Sequence, residues 1–179
     1  DQTVCLFFRA VCGVEINVPA LQGLVEFINR SKVNTAMLTT SFARTLDPEL
    51  VPGLQKLIAG GEAPTRDTLM TWLGHLQLVN AYGPSESCVC CATNTFQSQQ
   101  DSPGTIGKGE NTACWIADPD DHNRPTAIGA IGELIIQGPT IARGYLNKES
   151  LTKKAFLDEL KWVPTAHGRT WRFYKTGDL

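Results

Sequence analysis

The chain has 179 residues, 42% of them hydrophobic and 19% charged, which is about one domain's worth. Its formal net charge of −2 argues against a partner bound by neutralising phosphates, so no nucleic acid is expected. No apolar run approaches the roughly eighteen residues that span a bilayer, and Asp1-Gln2-Thr3 carries no signal-peptide pattern, so a cytoplasmic protein without a membrane partner is expected.

Residues 1–18 are apolar but aperiodic, with a strand conceivable over 4–8. Pro19 is placed to open a helix, and Leu21, Leu24, Val25 and Ile28 recur at helical spacing through 29. Residues 32–38 read as a strand. Ser41 is a candidate cap for a short turn through 45, and Asp47-Pro48 a candidate start for another. Residues 57–59 form a buried-type strand running into Gly60-Gly61-Glu62. A helix over 65–73 follows, with Leu69, Trp72 and Leu73 inward, then a strand over 76–80. Strand, helix, strand at this spacing predicts a βαβ unit with a parallel pair.

The second half changes character. Residues 88–96 look extended and 97–101 loop-like. Strands are expected at 113–117 and 133–137, a helix at 151–160 opened by Glu149-Ser150, and a last strand at 171–175. The fold class is therefore α/β: a βαβ-containing subdomain over about 1–96, then a mainly β subdomain over about 97–179. The start without methionine and the end on a strand and turn both look cut, so a piece of a longer polypeptide is expected.

The stretch 80–86 (NAYGPSE) stands out. Gly83-Pro84 signals a turn, so Asn80, Tyr82, Ser85 and Glu86 are expected to project from a strand end, where α/β proteins bind ligands. A carboxylate suits a hard cation such as magnesium, a hydroxyl donates to phosphate oxygen, and a phenol face receives a planar base. A magnesium nucleotide triphosphate would use all three; a polar turn with a buried tyrosine is the plainer alternative.

Other patterns fail. Gly83-Pro84-Ser85-Glu86-Ser87 lacks the closing glycine of a nucleophile elbow, and His122 and His167 sit in polar surroundings that suit solvated loops. Residues 104–109 (GTIGKG) have the wrong spacing for a phosphate loop. Of six cysteines, Cys88 and Cys91 form a C-x-x-C pair with no second pair. In an extended segment their thiols would face opposite ways, so buried reduced thiols are expected rather than zinc.

Three stretches in order, 80–86, 132–146 (GELIIQGPTIARGYL) and 174–179 (YKTGDL), resemble core motifs of adenylate-forming, AMP-binding enzymes. The resemblance is nearest to adenylation domains of nonribosomal peptide synthetases and runs from about residue 30 to the end. Residues 57–63 (LIAGGEA) fit the preceding strand and turn, and 115–124 (WIADPDDHNR) looks like the fungal branch. The resemblance implies part of the large N-terminal core of such an enzyme. It implies binding of ATP and magnesium, activation of an amino acid as its adenylate, and transfer to the phosphopantetheine thiol of a carrier domain. Carrier and condensation domains of the same polypeptide are the implied partners.

By resemblance, Tyr82 stacks on adenine and Asn80 bonds its amino group. Gly61, Glu62 and Ala63 bring backbone against base and sugar, with Ala81 and Gly83 in the same nucleotide-binding stretch. Ser85 contacts the α-phosphate where most relatives have threonine, Glu86 ligates magnesium, and Asp178 binds the ribose hydroxyls; Ser85 and Glu86 make up the catalytic pair. Met37, Ile58, Gly60, Ala81, Val89 and Cys90 map to the amino-acid pocket. All are small or apolar, which favours an uncharged, hydrophobic side chain. The stretch 132–146 reads as scaffold, with Arg143 and Tyr145 bracing the loop. The family's upstream phosphate loop and small C-terminal domain are absent, so the 179 residues alone are expected to lack adenylation activity. Another adenylate former, such as an acyl-CoA ligase, and a degenerate non-catalytic domain are the alternatives.

Overall fold

The computed structural model describes residues 5–7, 18–164 and 171–179. It divides into two compact units: Asp1–Ala81 with Thr93–Gly107, and Tyr82–Ala92 with Lys108–Leu179.

The first unit is a parallel sheet with helices. Its strands are β1 (Cys5–Phe7), β2 (Thr35–Thr39), β3 (Lys56–Gly60), β4 (Gln77–Tyr82) and β5 (Ala92–Thr95), in spatial order β1-β2-β3-β4-β5. The first four pair in parallel, with Met37 beside Ile58 and Ile58 beside Val79. The expected βαβ unit is β3, α3 (Arg66–Trp72) and β4. Of the strand expected over 4–8, residues 5–7 form β1, and 4 and 8 lie outside the described residues.

Helix α1 (Val18–Arg30) has proline in its first turn and Arg30 in its last, where a cation complements the helix dipole. Ile28 is buried, and Leu21, Leu24 and Val25 pack against the same core. Helix α3 starts with a capping box: Thr65 and Thr68 exchange side-chain-to-backbone bonds. Leu69 and Trp72 are fully buried on it, and Leu73, expected inward, packs at the margin. Ala36, Leu38, Leu57, Ala59 and Leu78, on one face of the sheet, join them in that core. Each large side chain so buried contributes about 1.5–3 kcal/mol.

Two local expectations are corrected. The short helix α2 (Thr40–Ala43) is capped by Thr39, whose side chain accepts from the Phe42 amide; Ser41 lies inside the helix and turns to Glu62. Asn80 and Tyr82 belong to β4 itself, so the strand carries them and only Gly83 onward forms the turn. Asp47 does cap its turn, accepting from Glu49 N at 3.0 Å.

Gly107 closes the first unit at φ +81°, where an added Cβ would lie 1.9 Å from the Thr93 carbonyl oxygen. Gly107→Ala is therefore expected to cost more than about 2 kcal/mol, since both the backbone well and the space are lost. Urea unfolding would show it as a lowered midpoint; an unchanged midpoint contradicts this packing.

The second unit is an antiparallel sheet. Strands β7 (Ala113–Ala117), β8 (Glu133–Gln137), β9 (Phe156–Leu157) and β10 (Phe173–Lys175) run in the order β7-β8-β10-β9, and a short β6 (Lys108–Gly109) precedes them. Its core gathers Ala117, Ile135, Leu160 and Phe173, with Trp115 and Trp162 edge-to-face at 5.6 Å. Trp162 donates to the His122 carbonyl at 3.0 Å, so His122 sits partly buried against this core rather than in a solvated loop; His167 lies outside the described residues.

The helix expected over 151–160 is α4 (Glu149–Ala155), and it stops at Phe156. Phe156 and Leu157 pair with β10 instead, so tertiary pairing overrides the apolar spacing. The last strand begins at Phe173 rather than 171. The segment expected extended from 88 is not: Cys88 and Val89 have φ of 60° and 75°, and extension begins at Ala92. The face argument for Cys88 and Cys91 loses its premise, although Cys91 is indeed buried while Cys88 is exposed. Cys12 lies outside the described residues.

Candidate nucleotide-binding site

The second unit assembles three distant stretches. Tyr82 ends β4, and the chain then reverses through Gly83-Pro84 and a single 3-10 turn (Ser85–Ser87). The reversal is tight: Cys91 N donates to the Tyr82 carbonyl at 2.8 Å. A Cβ on Gly83 would sit 2.6 Å from Val89 O, so only glycine fits. Val89 at φ 75° is an outlier for a β-branched residue, and such strain concentrates at functional loops.

Tyr82 donates its hydroxyl hydrogen bond to Asp178 Oδ2, 96 residues away in sequence. Burial, reinforced by the neighbouring Asp178 carboxylate, pushes the Tyr82 phenol above its ordinary range, so it stays a protonated donor. Asp178 itself is exposed and sits on a pinned turn. Leu134 N donates to its carbonyl at 2.9 Å, its own N–H donates to Thr176 Oγ1 at 3.0 Å, and Thr176 Oγ1 donates to Leu134 O at 2.8 Å. Glu133, buried, accepts from Gly177 N at 3.0 Å and pairs with Lys175 at 3.2 Å. The sequence reading missed Glu133; a carboxylate opening an otherwise apolar strand was the available signal.

Glu86 is held by a different segment of the same unit, 142–145. Tyr145 Oη donates to Glu86 Oε1 at 2.6 Å, and Ala142 N donates to the Glu86 carbonyl at 2.8 Å. Tyr145 thus braces as expected. Arg143 takes part through its carbonyl, which accepts from Arg172 Nη1 at 2.6 Å. The Tyr145 hydrogen bond, the largest influence, holds the Glu86 carboxyl below its ordinary value of 4.5. A carboxyl so depressed adds stability that is present above its unfolded value and lost as pH falls through the folded one. Tyr145→Phe is therefore expected to move the acid-unfolding midpoint to higher pH, read by tryptophan fluorescence, with little change at pH 7 beyond the lost bond. A midpoint that stays put contradicts this linkage. Ser85 is exposed beside Glu86.

The remaining sequence-nominated residues divide between the units. In the first, Met37, Ile58, Gly60 and Ala81 share the sheet face opposite the core, and Met37 Cε lies 3.4 Å from where a Gly60 Cβ would stand. Asn80 is buried on the core face and donates to Thr105 O at 2.9 Å. Gly61, Glu62 and Ala63 are exposed at the carboxyl end of β3, where Gly61 adopts φ +79°. The Glu62 carboxylate accepts from Ser41 N at 3.0 Å, and Thr40 Oγ1 donates to the Glu62 carbonyl at 2.9 Å, so this turn is anchored to α2. In the second unit, Val89 is exposed and Cys90 is partly buried, its thiol raised above the ordinary range by burial. Among the described residues no three His, Cys, Asp or Glu side chains cluster as a metal cage, and no helix is long and apolar enough to cross a membrane.

Residues 2–146 match the family model of the AMP-binding enzyme. The chain belongs to that family. Among curated AMP-binding relatives, it is 40% identical over 179 residues to the nonribosomal peptide synthetase atnA of Emericella nidulans, covering 97% of this chain and 2% of that protein. It is 44% identical over 185 residues to nonribosomal peptide synthetase 4 of Gibberella zeae, covering 99% and 2%. With the N-benzoylphenylalaninol synthetase apmA of Penicillium brevicompactum the identity is 45% over 156 residues, covering 87% and 7%. The chain thus spans a small part of each. Among solved structures, holo-PA1221, a nonribosomal peptide synthetase protein containing adenylation and PCP domains, superposes with a TM-score of 0.75 at 28% identity, over 87% of this chain and 28% of that one. The N-terminal subdomain of Klebsiella oxytoca NpsA shares the fold, with a TM-score of 0.76 at 19% identity over 96% of this chain and 50% of that one. The α/β unit and the mainly β unit thus match part of an adenylation-domain N-terminal subdomain.

Proposed function

We propose that the chain is part of an amino-acid-adenylating domain of a nonribosomal peptide synthetase. The observation that carries this reading is the joining of its separated motifs by side-chain bonds, Tyr82 to Asp178 and Glu86 to Tyr145. In the reaction, a carboxylate oxygen of the amino acid attacks the α-phosphorus of ATP. The bond to the β-phosphate oxygen breaks, and pyrophosphate leaves. A carrier domain's phosphopantetheine thiolate then attacks the acyl carbon and AMP departs. The adenylation and PCP domains of PA1221 support the carrier as partner, and a condensation domain is the further partner of such an assembly.

Roles divide by chemistry. Tyr82 gives its ring to adenine while its hydroxyl stays committed to Asp178. Asp178, exposed and fixed by main-chain bonds, accepts from the ribose hydroxyls, a charge-assisted contact. Ser85 donates to the α-phosphate. Asn80 has its amide nitrogen engaged by Thr105, so its Oδ1 is the atom that accepts from the adenine amino group. Gly61, Glu62 and Ala63 offer backbone to base and sugar, and the anchored Glu62 side chain keeps that backbone in place. Ala81 and Gly83 allow close approach along the same stretch.

Magnesium fits the donor chemistry of Glu86. The carboxylate is partly exposed and held ionised by Tyr145, and a hard cation takes oxygen ligands of this kind together with nucleotide and water oxygens. When bound, the cation neutralises phosphate charge. Glu86 would hold it, and Tyr145 fixes the Glu86 carboxylate by its hydrogen bond. Met37, Ile58, Gly60 and Ala81 on one sheet face of the first unit are small or apolar and favour an uncharged, hydrophobic side chain, because a buried unpaired charge is costly; Val89 and Cys90 in the second unit are of the same apolar kind.

ATP–pyrophosphate exchange by the gene product that carries these residues tests the reading. Exchange supported by apolar amino acids is expected. Exchange supported only by fatty or aryl acids, or none with any acid, overturns it.

A further inference from the structure

The geometry points to Tyr145 as the positioning residue for Glu86, fixing through its hydrogen bond the carboxylate that would hold a nucleotide-bound cation. This rests on the function proposed above and adds a residue to it. The bond joins residues 59 apart in sequence and spans 2.6 Å, with the phenol donating to Oε1. A second tie makes the brace specific: Ala142 N donates to the Glu86 carbonyl at 2.8 Å, so the segment before Tyr145 grips the Glu86 backbone while Tyr145 grips the side chain.

Tyr145 is itself fixed on every side. Its amide donates to Thr152 Oγ1 at 2.9 Å at the start of α4. Its ring meets Phe156 edge-to-face at 5.4 Å, and Phe156 in turn packs on Tyr174 at 5.1 Å, with the Arg172 guanidinium 5.4 Å from the Phe156 centroid. Gly144, at φ +140°, leaves room for Thr152, whose Cγ2 would lie 2.3 Å from an added Cβ. A flexible carboxylate loses rotamer entropy when it ligates; one already locked has lost it on folding. The groups facing Glu86 are Tyr145 and Tyr174, both neutral donors, so the brace supplies no competing cation.

A purely structural tyrosine and a positioning one separate in a binding experiment with ATP as the probe. Affinity of the gene product for ATP is measured by calorimetry with excess Mg2+ and again in EDTA, and the ratio is the metal-dependent increment. Tyr145→Phe is expected to cut that increment about 10- to 100-fold and to leave the EDTA value unchanged, the range found for partners that orient metal ligands. Glu86→Gln is expected to abolish the increment, and Tyr145→Phe added to Glu86→Gln to change nothing further. An equal fall in both conditions, or no fall, in Tyr145→Phe overturns the positioning role. If Glu86→Gln keeps the full increment, the cation is not held there and the proposed site fails as well. A thermal midpoint for each variant confirms that folded protein is being titrated, and Tyr145→His, which restores a donor, supplies a second variant expected to regain part of the increment.

Discussion

Trp72→Ala is expected to destabilise the first unit by about 4 kcal/mol, the middle of the range for deleting a buried aromatic. Trp72 is fully buried at the end of α3, in the core that also holds Leu57, Leu69 and Leu78. Its indole N–H donates to the Ala43 carbonyl at 3.2 Å. Truncation removes the apolar burial, opens a cavity and leaves a buried carbonyl without that donor. Trp72→Phe keeps most of the volume and loses the bond, so a smaller cost of about 1–3 kcal/mol is expected. Urea unfolding followed by far-UV circular dichroism reads both. A Trp72→Ala loss below about 1 kcal/mol would mean that the site collapses freely or is already open.

Asp178→Ala carries the largest expected effect on activity, a loss of about 100-fold in kcat/KM for ATP–pyrophosphate exchange. The carboxylate accepts from Tyr82 and, on the proposed reading, from two ribose hydroxyls. Charge-assisted hydrogen bonds are worth roughly 1.5–3 kcal/mol each, and 1.4 kcal/mol is about tenfold. Tyr82→Phe keeps the ring and deletes one bond to Asp178, so a milder loss of about 5- to 10-fold is expected. Because the Thr176–Asp178 turn is held by main-chain and Thr176 bonds, Asp178→Ala leaves its own backbone fixed and removes only the side chain. Wild-type exchange in Asp178→Ala would remove the ribose contact from the mechanism.

The sequence was readable where the physics is local. Leu21, Leu24, Val25 and Ile28 announce α1, and Leu69, Trp72 and Leu73 announce α3, because both signals lie within one or two turns. Strands β7 and β8 fall where their apolar runs place them. Readability failed where a distant partner decides. Phe156 has a helical neighbourhood yet pairs with Tyr174, and nothing near it in sequence reveals that strand. Thr39 takes the place of Ser41 as cap because the helix begins two residues earlier than the serine suggests. The left-handed backbone at Cys88 and Val89 carries no compositional warning, since neither residue favours it.

The candidate site followed the same division. Its residue types came from three motifs, but which groups touch came only from the fold. No spacing rule connects Tyr145 to Glu86 or Glu133 to Gly177, since each pair is 40 or more residues apart and is joined only by the tertiary fold of the second unit. Tyr174, read as part of a motif, turns out to be half of an aromatic stack with Phe156.

The register of β2, β3 and β4 sets Met37, Ile58 and Gly60 on one side of the sheet and Leu38, Leu57 and Ala59 on the other. On the proposed reading, substitutions at the former positions would alter the substrate pocket and leave the hydrophobic interior intact, while substitutions at the latter would act on stability. A one-residue insertion in β3 would swap the two sides and disturb both at once.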